Sequence, residues 1–157
     1  YVTGLLGGPG RALAAWESGA APDADDRARF ARPTARIREA LWLAAHGATA
    51  AIDISDGLVA DAGHLAAASR LDVCIERDAI PVVVGASPSD AMRSGEEYEL
   101  ALTASAPIDE HGFAREFGVP LTRIGTVVAP LDDTPRVRLR SHGRFVDLPA
   151  GHDHFSR

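Results

Sequence analysis

Hydrophobic positions along this chain recur with two periods, and the switches between them mark out its elements. Residues 1–3, "YVT", read as a short strand running into the glycine-rich turn "GLLGGPG" and then a helix over 11–18. Residues 20–26, rich in Ala, Asp and Pro, read as a loop. A helix follows from Thr34, its N-cap, to Ala45, with Ile37, Leu41, Ala44 and Ala45 on one face and Gly47 at its end. Residues 48–54 read as a buried strand. Residues 58–69 read as a helix with the apolar stripe Leu58, Ala62, Leu65 and Ala66.

A strand over 71–75 comes next and ends near Ile80 and Pro81, before a Gly/Ser/Pro loop over 85–95. In "EEYELALT" the alternation of Tyr98, Leu100 and Leu102 predicts a strand. Residues 108–117 read as a helix closed by Gly118, residues 121–128 as a strand, and "RVRLR" with "RFVDL" as a closing hairpin around 141–143. Helices and strands interleave, but the last strands follow one another directly. The fold class is therefore α+β, with a mixed, largely antiparallel sheet and helices packed against it, in a single domain of 1–157. The opening, strand-like and without a methionine, reads as a cut at a domain boundary whose partner lies upstream.

Composition sharpens this only modestly. At 157 residues, 46% hydrophobic and 24% charged, the chain is an ordinary globular domain. A net charge of −6 with scattered arginines argues against a nucleic-acid partner. No apolar run is long enough for a bilayer and no signal segment opens the chain, so no membrane partner is expected. The lone Cys74, in the apolar "VCI", reads as a core residue in a reducing, cytoplasmic setting.

Candidate chemistry concentrates at "AIDISDGLVAD", where Asp53, Asp56 and Asp61 surround a strand-to-helix turn. Magnesium needs only one or two carboxylates beside phosphate oxygens, a helix N-terminus suits phosphate, and Ser55 could donate to it. The alternative is that Ser55 or Asp56 caps the helix while the other acids face water. "GEEYEL" could hold a cationic ligand or be a solvated strand entry. "GHDHF" brings His152 and His154 together without the further ligands of a zinc site. "TGLLGGPGR" lacks the Lys–Ser/Thr ending of a P-loop, and Ser55 lacks a hydrolase elbow. His64 reads as an exposed partner of Asp61.

The order "DISDGLVADAGHLAAAS", "IP", "GEEYELALT", "RIGTV", "GHDHF" resembles the C-terminal domain of the thiamine-monophosphate kinase family. That family sits in the superfamily of aminoimidazole ribonucleotide synthetase and selenophosphate synthetase, and the similarity spans essentially the whole chain. The resemblance implies transfer of the ATP γ-phosphoryl group to thiamine monophosphate, giving the diphosphate. It implies that Asp53 and Asp56 bind Mg2+, that Ser55 contacts ATP, and that Glu96 and His152 contact substrate. It also implies an N-terminal ATP-binding and dimerisation domain absent from this chain, a homodimer at full length, and negligible activity of the chain alone. Ser94, Glu97 and His152 depart from the family pattern, at a glycine, an aspartate and an aromatic respectively. These departures keep another small-molecule acceptor open as an alternative; a non-catalytic ligand-binding module is a third reading, against which the intact Asp53, Ser55 and Asp56 argue. Asp61 and His64 complete the D-x-S-D-G-L-x-x-D-x-x-H signature without an assigned role.

Overall fold

The computed structural model describes residues 1–130, 132, 134 and 136–148. Along them run β1 (Val2–Thr3), α1 (Gly8–Glu17), α2 (Ala24–Ala31), α3 (Ile37–Ala45), β2 (Ala48–Asp53), α4 (Leu58–Ser69) and β3 (Asp72–Glu76). A 3-10 turn (Arg77–Ala79) leads to α5 (Pro88–Arg93), β4 (Leu100–Ala104), α6 (Glu110–Phe117), β5 (Leu121–Thr122), β6 (Gly125–Val128), β7 (Val137–Ser141) and β8 (Arg144–Val146). The strands form two four-stranded sheets. One, in the order β2-β4-β1-β5, is antiparallel throughout. The other, β6-β3-β7-β8, pairs β3 and β7 in parallel between antiparallel edges.

Helix α4 follows the predicted span and packs its stripe between the sheets. Leu58 and Ala62 are buried in one cluster with Val2 and Ala101 of the first sheet and Ile75, Val137 and Leu139 of the second, Leu65 packs against it, and Ala66 is buried as well. On the opposite face of β4, Leu100 and Leu102 join Leu43, Phe113 and Leu121 in a second cluster. Strand β4 is thus buried on both faces over Leu100, Ala101 and Leu102, which explains the three consecutive apolar residues at its start.

Several expectations are corrected. Helix α1 begins at Gly8, with a proline in its first turn, rather than at residue 11. Part of the expected 20–26 loop enters α2, capped by the Asp23 side chain and tied to α1 by an Arg11–Asp26 ion pair of 2.7 Å. Helix α3 starts at Ile37, not at Thr34, and its buried positions are Glu39 and Leu43, leaving Ile37 and Leu41 exposed. Arg36 causes this by gripping Glu99 and Glu39 at the helix entry. Strand β2 is a half-exposed edge strand rather than a buried one. The 85–95 loop contains α5, with a Ser87–Asp90 capping box. The expected strand over 121–128 splits into β5 and β6 in different sheets, because Ile124 turns into the core between them.

Candidate functional site

Between β2 and α4 the chain makes its turn at Ser55, Asp56 and Gly57, after the fully buried Ile54. Gly57 has φ +113°, and a Cβ there would lie 3.2 Å from the Met92 carbonyl oxygen, so this corner suits glycine alone. The amides of Ser55, Asp56 and Gly57 all donate to Oδ2 of Asp61, at 3.0, 3.0 and 3.1 Å. Asp61 is itself buried, and burial pushes its carboxyl pKa up against the downward pull of these bonds.

This arrangement changes the picture of the turn. Neither Ser55 nor Asp56 caps α4 with its side chain. The three turn amides are spent on Asp61 and are not offered to phosphate, so the expected helix-end cradle fails for them. What the turn presents outward is the half-buried Ser55 and the exposed Asp56, with Asp53 exposed at the end of β2. Among the described residues the Asp53 and Asp56 carboxylates take no hydrogen bond or ion pair.

Residues 94–99 run beside this turn. Glu96 N–H donates to the Ser55 carbonyl at 2.9 Å, Tyr98 N–H to that of Ile54 at 2.9 Å, and Ile54 N–H to that of Glu99 at 2.8 Å. A Cβ on Gly95 would fall 2.7 Å from the Ser55 oxygen, so this close approach also needs a glycine. Glu96 and Tyr98 hold left-handed φ values of +58° and +51°, which is why the strand begins only at Leu100. Such conformations cost about 1–3 kcal/mol each and are kept where the surroundings impose them. The Tyr98 hydroxyl donates to Glu96 Oε2 at 3.0 Å, and that bond raises the Tyr98 pKa.

The three glutamates have three fates. Glu96 is exposed toward a cavity of about 840 Å³. Glu99 is buried, gripped by two nitrogens of Arg36 and by the Thr3 hydroxyl. Glu97 is buried with no arginine at ion-pair distance among the described residues. One of its oxygens accepts the Gly7 N–H at 2.6 Å, and the other is buried without a partner. Burial raises its carboxyl pKa to about 7.

Ser55, Asp56 and Glu96 line the cavity together, with Leu13 of α1, Phe30 of α2 and Arg93 of α5 across from them. Asp53 is not among the lining residues. Arg11 and Arg93, the arginines of the wall, are already paired with Asp26 and Asp90. Asp56, Asp61 and His64 each bring one ligand atom within 4.8 Å of the others, an arrangement that includes Asp56 but not Asp53. His152, with His154 and Phe155, lies outside the described residues. A smaller cavity of about 240 Å³, lined by Leu58, Cys74, Thr103 and Arg123, holds none of these acids. No helix among the described residues is long and apolar enough to cross a membrane.

Sequence reasoning missed the clamp of Asp61 and the burial of Glu97 and Glu99. Asp61 had a local signal, an acid in the first turn of a helix whose leading amides need acceptors. Glu97 and Glu99 had none, because their partners stand 90 and 63 residues away.

The family described as "AIR synthase related protein, C-terminal domain" matches residues 1–138. The thiamine-monophosphate kinase of Salmonella typhimurium is 33% identical over 99% of this chain and 52% of its own length. That of Methanopyrus kandleri is 36% identical over 80% of this chain and 42% of its own. The chain thus spans about half the length of the curated relatives it matches. In three dimensions it is similar to the thiamine-monophosphate kinase of Stenotrophomonas maltophilia, with a TM-score of 0.76, 33% identity, and 92% and 50% of the two chains covered. It is also similar to AaThiL complexed with AMPPCP and TMP, with a TM-score of 0.71, 28% identity and coverage of 98% and 50%. Hydrogenase maturation protein HypE of E. coli shares the fold, with a TM-score of 0.66 at 19% identity, over 99% of this chain and 50% of its own.

Proposed function

This chain belongs to the family of AIR synthase related protein C-terminal domains, and from that premise we propose that it is the acceptor-side half of a thiamine-phosphate kinase. In this reading the complete enzyme transfers the ATP γ-phosphoryl group to the phosphate of thiamine monophosphate. The observation that carries it is the juxtaposition on one cavity of Ser55, the unpaired Asp56 carboxylate and Glu96, in a chain one-third identical to such kinases along its whole length.

The donors fit magnesium. Asp53 and Asp56 are oxygen ligands that nothing in the described residues neutralises, and the arginines of the cavity wall are already engaged. Magnesium bound there would offset negative charge on the transferring phosphoryl oxygens. This chain's own contribution is positional. Ser55 donates its hydroxyl to a nucleotide phosphate, Asp61 fixes the turn that aims Ser55 and Asp56, and Glu96 meets the cationic acceptor. No side chain needs to act as a nucleophile, since in-line transfer between two phosphates rests on alignment.

Two of the substrate-side departures turn out to serve the frame. Ser94 Oγ accepts the Gly10 N–H at 2.9 Å and Glu97 accepts that of Gly7, so both tie the loop to α1 and leave Glu96 to face the acceptor. That weakens the case for a different acceptor. The reading further assigns an N-terminal domain, dimeric assembly and a cytoplasmic location to the longer protein, with negligible transfer by the 157-residue chain alone.

A phosphoryl-transfer assay on a longer protein carrying this sequence, with Mg-ATP and thiamine monophosphate, tests it. Asp53→Asn and Asp56→Asn are expected to lower kcat at least about a hundredfold. Unchanged turnover in both, or preference for an acceptor lacking the thiazolium, overturns the reading.

A further inference from the structure

Within one short stretch, Glu97 and Glu99 are equally withdrawn from water yet met by different partners. Glu99 has a guanidinium on both oxygens and a hydroxyl besides, the surroundings of an ionised carboxylate. Glu97 has no guanidinium, only the Gly7 amide and the neighbouring Ser94 hydroxyl to favour its charge, and its Oε2 is orphaned inside the protein. A charge left in that position would be buried and unpaired, which proteins avoid by taking up a proton.

We propose that Glu97 is a positioning residue that carries a proton in the folded chain, its neutral carboxyl latching the glycine turn at Gly7 to the 94–99 loop, and that ionisation loosens this latch. The neutral acid retains a carbonyl-type oxygen for the Gly7 N–H while removing the unpaired charge. The charged groups around it are few. From α2, Arg29 pulls its pKa down, but its own Nη1 donates to the Leu5 carbonyl at 3.2 Å. Asp26, also of α2, is paired with Arg11 of α1. At the entry to β4, Glu99 pushes Glu97 upward and is itself held by Arg36. On the loop, Glu96 faces the cavity and engages Tyr98. Burial outweighs these influences, and the downward pull of the Ser94 hydroxyl and the Gly7 amide, and places the carboxyl at about 7.

The folded chain holds this proton up to about pH 7, whereas the unfolded chain releases it near the ordinary value of 4.5. The latch is therefore closed below 7 and opens as pH rises through it. Since the same stretch carries Glu96 and the Ser94–Gly10 contact, opening frees one wall of the 840 Å³ cavity.

NMR on the uniformly 15N- and 13C-labelled 157-residue chain tests this. The Gly7 amide and the Glu97 side-chain carboxyl carbon are expected to titrate together with a midpoint near 7. In Glu97→Gln, which keeps the acceptor and cannot ionise, the Gly7 titration disappears. The folded-to-unfolded ratio of the wild type falls by up to roughly tenfold per pH unit between 4.5 and 7, and the variant loses that slope. A Glu97 carbon midpoint near 4.5, a flat Gly7 amide, or a Gly7 titration that persists in the variant overturns the proposal. The wild-type resonances decide it even if the variant does not fold. None of these readouts involves phosphoryl transfer, so the kinase reading can fail while the latch stands, and the reverse.

Discussion

The turn at 55–57 and the loop at 94–99 lie side by side on one cavity, and each is held by a buried carboxyl, but the two are held differently. Asp61 gathers three amides from residues four to six positions before it. Glu97 takes a single amide from 90 residues away and leaves an oxygen without a partner. The turn is over-determined by short-range bonds, so losing one leaves it in place. The loop depends on long-range contacts, one of them through a group that can change charge near neutral pH. Rigidity at the 55–57 turn and adjustability at the 94–99 loop thus arise from the same chemical device, applied with different redundancy.

The largest test of this comparison removes the partner of the third buried carboxyl. Arg36→Ala leaves Glu99 as a second unpaired acid, and an expected loss of about 3–5 kcal/mol should appear in the urea unfolding free energy. Asp61→Ala strands three turn amides and should cost about 2–3 kcal/mol by the same measurement, with Asp61→Asn recovering part of it. A neutral Asp61→Ala would mean that the turn is not held as described. The smallest effect has the opposite sign. Glu96→Gly relieves the left-handed backbone at φ +58° and should raise stability by about 1 kcal/mol, while a longer protein carrying it binds the acceptor more weakly.

Local features were legible in the sequence and distant ones were not. Helix α4, the stop at Gly118 and the β7–β8 hairpin follow from periodicity and turn residues that act within a few positions. Helix α5 carried a readable signal in its Ser87–Asp90 box, hidden inside a stretch of loop-like composition. The inward face of α3 was illegible because it is set by Arg36 reaching Glu99, not by the helix's own stripe. Likewise "GEEYEL" announces three acids, but which is exposed, which is paired and which is buried alone depends on residues 7 and 36. Ser55, Asp56 and Glu96 were named from the family resemblance, and the glycines beside them are what bring their backbones together.

Strand β1 is interior to its sheet, with Val2 paired to Ala101 on one side and Thr122 on the other. Contacts of such sequence separation form slowly, since the intervening chain must first be closed. During synthesis β1 has no neighbour until the chain has reached Ala101, and no second one until Leu121 and Thr122. The glycine turn that follows β1, and with it the wall it lends to the cavity, is consequently fixed late in folding. A ribosome-bound chain stopped short of Leu121 would hold β1 from one side only.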